Sequence, residues 1–237
     1  MAIVRFGNFE SEYKVQTQGT GFFVKYKKNT FLITCKHNIK NGSKGHYFFM
    51  SKSTNREIPN YIELYVPLKN VQFSKFDSPL ESTDIAAFQV DSNLIAGLGI
   101  TPIKLMESIS DINYNAIACG YPNEYIKSRL NEQEYFLVPY EVKCIYSNKS
   151  ELNGLNQKKV PYRVKNIRCA TIEKCAFKNV EGISGGPIID LESQNVLGMV
   201  AFSGLGGEVE CGGKAKEILG IIPSSDIIEM IDDIVHE

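Results

Sequence analysis

Short runs of β-branched and aromatic residues, each closed by turn-forming residues, recur along the chain, while sustained helical periodicity is nearly absent from its interior. The runs span 21–26, 30–34, 61–67, 84–90, 116–120, 136–146, 167–174, 186–190, 196–203 and 218–222. A chain patterned this way buries its apolar faces only by stacking or closing sheets, so the expected fold class is all-β. The segments 22–26 and 30–34 flank the polar turn Lys27-Lys28-Asn29 and predict a hairpin. One stretch departs from the β pattern. Behind a serine cap at Ser224 or Ser225, the residues Ile227, Ile228, Ile231, Ile234 and Val235 fall on one helical stripe, which predicts a C-terminal amphipathic α-helix packed on its own domain. About ten strands in one chain imply two stacked β units. Their junction falls in the weakly patterned stretch 97–115, and the polar stretch 148–159 reads as an exposed loop.

Composition narrows the function classes. The 237 residues carry 26 Lys+Arg against 27 Asp+Glu, a net charge of -1, so no global positive field draws the chain to nucleic acid or an anionic membrane. The basic residues Lys158, Lys159, Arg163 and Lys165 read as part of a solvated loop. No apolar run approaches the roughly 20 residues of a membrane span, and the first ten residues lack the apolar core of a secretory signal. A cytosolic protein is therefore expected. The cysteines Cys35, Cys119, Cys144, Cys169, Cys175 and Cys211 are scattered without C-x-x-C spacing, so reduced thiols are expected, with no metal and no cofactor.

The segment Glu181-Gly182-Ile183-Ser184-Gly185-Gly186-Pro187 is the richest in chemistry. A serine among glycines can sit on a tight turn that exposes its hydroxyl while neighbouring backbone N–H groups converge on one point, the geometry acyl transfer needs. An α/β-hydrolase elbow would run from this serine straight into a helix, whereas Gly186-Pro187-Ile188-Ile189-Asp190 reads as a strand, and that reading is rejected. A nucleophilic serine needs a base, and the chain offers His37, His46 and His236. His37 follows the strand 30–35, where a side chain can face a cleft, and is the preferred base. Asp84 begins an otherwise apolar strand, poised for partial burial beside a histidine.

In this order the motifs resemble the chymotrypsin-like serine peptidases, above all their bacterial trypsin-like and high-temperature-requirement branches. The matching segments are Gly19-Thr20-Gly21-Phe22-Phe23, Leu32-Ile33-Thr34-Cys35-Lys36-His37, Thr83-Asp84-Ile85-Ala86, Gly182-Ile183-Ser184-Gly185-Gly186-Pro187 and Val196-Leu197-Gly198-Met199-Val200. The resemblance implies two six-stranded antiparallel β-barrels with the site between them. The first, over 1–108, would carry His37 and Asp84; the second, over 109–237, would carry Ser184 and the terminal helix. By the same likeness Ser184 attacks the scissile carbonyl, His37 shuttles its proton and Asp84 holds the imidazole, with the N–H groups of Gly182 and Ser184 as oxyanion hole.

Ile183 stands where digestive members carry an acid that pairs with a newly cut N-terminus, so maturation by that ion pair is not expected. Cys35 stands where alanine is frequent and reads as a packed thiol. Counting back from Ser184 puts Lys178 near the floor of the substrate pocket. Ala201, Phe202 and Ser203 resemble the edge that pairs with an extended peptide, and the glycine-rich stretch 204–213 resembles a rim loop. The chain ends soon after its helix, so the peptide-binding domain usual in the high-temperature-requirement branch is not expected. The expected partners are a protein or peptide substrate and an activating protein, with no nucleic acid and no membrane. The alternative is a latent or inactive peptidase fold serving as a peptide-binding scaffold.

Overall fold

The computed structural model describes residues 2–11, 14–39, 47–52, 61–66, 71–73, 84–122, 139–148, 167–172, 182–202 and 217–235. The first half supplies β1 (Ile3–Ser11), β2 (Lys14–Tyr26), β3 (Asn29–Cys35), β4 (Tyr47–Lys52), β5 (Tyr61–Val66), β6 (Val71–Phe73), β7 (Ile85–Val90) and β8 (Ile103–Lys104), with a short helix α1 (Ser92–Gly97) after β7. They form one sheet in the order β5-β4-β1-β2-β3-β7-β6, with β8 pairing alongside β2. The described part of this half is thus an eight-stranded sheet, two strands more than expected. The additional strands include β1, in which Gly7 and Asn8 interrupt any apolar run, and the two-residue β8.

The second half supplies β9 (Asn113–Gly120), β10 (Tyr140–Ser147), β11 (Arg168–Ile172), β12 (Pro187–Asp190), β13 (Val196–Phe202) and β14 (Glu217–Pro223). These close into a six-stranded barrel in the order β10-β11-β14-β13-β12-β9, every pair antiparallel. Strand periodicity explains its filling. Along β10 the side chains of Val142, Cys144 and Tyr146 are buried while Glu141 and Lys143 face water, the alternation of a strand with one dry face.

β3 is buried on both faces, which accounts for its unbroken apolar run. Leu32 packs on one side with Phe23, Phe88 and Ile95, the last brought by α1. Phe31, Ile33 and Cys35 share the other cluster with Phe22 and Ile85 of the sheet and with Cys119, Met199, Ala201 and Ile222 of the barrel. Full burial of a Phe or Ile is worth about 1.5–3 kcal/mol, so the seam between sheet and barrel is a true core.

The terminal helix α2 (Ser224–Val235) forms as expected and packs against β13, β14 and β7. Ile227, Met230 and Ile231 are buried, with Ile228, Ile234 and Val235 half-buried beside them. Ser224 also makes a tertiary contact: its Oγ donates to the Met106 carbonyl oxygen at 2.5 Å, tying the helix start to the crossing between the halves. The β2–β3 hairpin turns through Lys27 and Lys28 alone, because Asn29 already pairs with Tyr26. Lys27 adopts φ 51 there. The turn is held from outside: Tyr26 Oη donates to Asp232 Oδ2 at 3.0 Å and Lys27 Nζ to Asp232 Oδ1 at 2.7 Å.

Among the described residues, Cys35, Cys119, Cys144 and Cys169 are not joined in disulfides. Cys175, Cys211 and the basic group Lys158, Lys159, Arg163 and Lys165 lie outside the described residues. Among the described residues no helix is long and apolar enough to cross a membrane.

Candidate active site

β3 and β7 run antiparallel with Cys35 opposite Ile85, so the residues just beyond this pair, Lys36 and Asp84, also meet. The Lys36 N–H donates to the Asp84 carbonyl oxygen at 3.2 Å. A single 3-10 turn, Lys36–Asn38, then swings His37 back over Asp84. The histidine grips the acid at two points. Its backbone N–H donates to Asp84 Oδ1 at 2.9 Å and its Nδ1 lies 2.5 Å from Asp84 Oδ2. The Asp84 side chain is 7% exposed and that of His37 31%, so the acid lies behind a histidine that faces solvent. A carboxylate only accepts, so the contact suits the tautomer with its proton on Nδ1, which leaves the lone pair of a neutral ring on Nε2.

Ser184 sits on the expected glycine turn. Gly182 and Gly185 adopt φ 99 and φ 85, in the left-handed region that disfavours side chains. At 185 close packing adds a second reason, since a Cβ there would lie 2.0 Å from the Thr20 carbonyl oxygen. The Gly186 N–H closes the turn onto the Ile183 carbonyl at 2.8 Å, and the Gly185 N–H donates to Val200 at 2.7 Å. Ile183 is fully buried in the barrel core, where no charge partner is needed. The Ser184 hydroxyl donates to the Ala201 carbonyl oxygen at 3.2 Å.

The turn is fastened to the first sheet. The Thr20 N–H donates to the Ser184 carbonyl at 2.8 Å, and Asn38 Nδ2 reaches the same oxygen at 3.0 Å. Thr20 Oγ1 donates to the Gly182 carbonyl at 3.0 Å. Sequence reasoning noted Thr20 within a motif but gave it no role; a lone hydroxyl residue between Gly19 and Gly21 on a strand was the available signal.

Ala201 is buried at the end of β13, and Phe202 is half-buried with its ring against Gly220, where a Cβ would lie 2.1 Å from Cζ. Lys178, Ser203, the stretch 204–213, His46 and His236 lie outside the described residues. Cys35 is fully buried and its Sγ donates to the Val200 carbonyl at 3.3 Å. Burial, and then the Asp84 charge, push this thiol well above its ordinary pKa, so it stays protonated. Cys35, His37 and Asp84 bring potential metal-ligand atoms within 4.8 Å of one another. The nitrogen and oxygen are committed to each other by a hydrogen bond, and the thiol is held as a donor to backbone, an arrangement suited to proton transfer rather than ligation.

A closed antiparallel barrel, a second sheet, and a serine turn beside a histidine–aspartate pair define the class of chymotrypsin-like serine peptidases. The chain belongs to the trypsin family, whose model, described as Trypsin, matches residues 5–228. The family is one of serine endopeptidases. Among solved structures the chain is similar to the serine endoprotease from Yersinia pestis, with 14% identity and a TM-score of 0.58. That match covers 100% of this chain and 63% of the other, so the chain spans less than two thirds of the length of the structure it resembles. No curated protein matches the chain.

Proposed function

We propose that this chain hydrolyses peptide bonds of protein substrates through an acyl-enzyme, with Ser184 as nucleophile, His37 as general base and acid, and Asp84 as the group that orients and stabilises the imidazole. The observation that carries the reading is the two-point contact of His37 with buried Asp84, which leaves Nε2 basic on the solvent side. In the resting arrangement the Ser184 hydroxyl points to the Ala201 carbonyl, and rotation about its Cα–Cβ bond turns it toward the imidazole. An extended substrate adding a strand beside β13 brings its own N–H to that carbonyl and favours the rotation. Oγ then attacks the scissile carbonyl as Nε2 takes its proton, and the imidazolium returns that proton to the leaving amine. Water repeats the sequence to release the acid. The N–H groups of Gly182 and Ser184 receive the oxyanion, each donor of this kind being worth about 2.7–4 kcal/mol of barrier.

Labelling with a fluorophosphonate probe tests the reading. Wild-type protein should be modified at Ser184, and Ser184→Ala and His37→Ala should not; modification elsewhere, or equal modification of the His37→Ala variant, would overturn it. The hydrogen bond from Ser184 to Ala201 favours a second reading, a peptidase latent until an activating protein or substrate strand displaces that bond. A latent enzyme is labelled only after that addition, whereas a peptide-binding scaffold is never labelled.

A further inference from the structure

We propose that Thr20 is a positioning residue for the acyl-transfer step: from the first sheet it clamps the barrel's nucleophile turn at the Gly182 and Ser184 carbonyls and so holds the stretch of backbone that links the two N–H groups assigned to the oxyanion. The inference rests on the serine-peptidase reading and adds a residue to which that reading gives no part.

A peptide unit is planar, so holding its carbonyl fixes the N–H on the other side of the bond. The unit joining Ile183 to Ser184 is held by the Ile183 carbonyl's bond from the Gly186 N–H, which turns the Ser184 N–H away from it. The unit joining Ser184 to Gly185 is held at both ends, by Thr20 and Asn38 at its carbonyl and by Val200 at its N–H. The unit joining Gly182 to Ile183 is different. The bond that holds its carbonyl comes from a side chain, Thr20 Oγ1. This is also the softest joint of the turn, because glycine crosses between positive and negative φ at little cost. Gly182 is found at φ 99, and the hydroxyl holds the unit that follows it, whose orientation sets how the Gly182 and Ser184 N–H groups stand to each other.

The polarity of the clamp is forced. The Tyr121 N–H donates to Thr20 Oγ1 at 3.0 Å, so the hydroxyl's one proton is free for the Gly182 carbonyl. Thr20 is fully buried. Its surroundings are tight: a Cβ on Gly120 would lie 2.7 Å from its Oγ1. Water is therefore a poor substitute for the hydroxyl. Loss of the bond leaves the half-buried Gly182 carbonyl without this partner and frees the unit to turn.

The experiment compares wild type, Thr20→Val and Thr20→Ser. Thr20→Val keeps the shape and removes the hydroxyl; kcat and the fluorophosphonate acylation rate should fall together by about 10- to 100-fold, less than outright loss of an oxyanion donor, while KM changes less than about threefold. Thr20→Ser should restore kcat to within about threefold of wild type. Thr20→Ala carries the same expectation if the valine variant does not fold. A kcat within twofold of wild type in the hydroxyl-free variant, or a loss that serine does not restore, overturns the clamp. Amide NMR signals of Gly182 and Ser184 judge it independently of activity: they should shift in Thr20→Val and return in Thr20→Ser, and unmoved signals overturn it. If wild type neither labels nor cleaves, the peptidase reading fails while the amide signals still decide the clamp.

Discussion

Replacing Asp84 by asparagine should silence the site without disturbing the fold, and the reason lies in which atoms can donate. Asp84 accepts two N–H groups from one residue, the backbone N–H of His37 at 2.9 Å and its Nδ1 at 2.5 Å. An asparagine offers one acceptor and one donor. The backbone N–H can only donate, so it claims the amide oxygen. The amide nitrogen is left facing Nδ1, which must then accept, and the imidazole proton moves to Nε2. The base is lost in place, along with the negative charge that stabilises the imidazolium. A histidine held in the wrong tautomer is worth about 10⁴ in turnover, or about 5 kcal/mol of barrier at roughly 1.4 kcal/mol per decade. Both hydrogen bonds survive, so the thermal midpoint should stay within a few degrees of wild type. The assay is the fluorophosphonate acylation rate at Ser184, read beside kcat on a cleaved peptide and a melting curve. A loss of less than tenfold with an intact fold would refute the tautomer argument. A collapsed melting transition would show that Asp84 acts chiefly through the fold.

Two further outcomes follow from buried groups. Burial raises the pKa of Asp190, but the bonds from the Ser193 hydroxyl at 2.6 Å and N–H at 2.8 Å, with the Glu192 N–H, outweigh it and leave the carboxyl below its ordinary value. A lowered folded pKa gives stability that is present above the unfolded carboxyl's pKa and lost as pH falls through the folded one. Ser193→Ala should therefore cost about 1 kcal/mol at pH 7 in urea unfolding, with the gap to wild type closing in acid; a gap that is constant with pH would contradict this. Cys35, buried and held protonated beside Asp84, should resist maleimide at pH 8 in the native protein and react once unfolded. Rapid native modification at that residue would mean that the seam opens.

Much of the candidate site was legible because its residues stand at sharp changes of pattern. His37 follows an apolar run, Asp84 precedes one, and Ser184 interrupts glycines. What brings them together was less legible. Pairing of Cys35 with Ile85 depends on the register of two strands far apart in sequence, and no local propensity encodes it. β1 went unseen because Gly7 and Asn8 break its apolar pattern, although the strand pairs on both sides, with β2 and β4. Ser224 stood out only as a candidate cap; that its hydroxyl reaches Met106 is a tertiary contact invisible to a local rule. Thr20 has the same history, as its partners Gly182, Ser184 and Tyr121 are remote in sequence.

The grip of Asp232 on the β2–β3 turn also orders events during synthesis. Tyr26 and Lys27 are made early, and their partner arrives more than two hundred residues later, so the two ends of the seam cannot meet until nearly all of the described chain has been translated. Contacts of such long range form late and slowly. The first-half sheet and the barrel therefore still lack this tie while the nascent chain is emerging. This latch between the turn and the terminal helix is deferred by topology alone until Asp232 has been made.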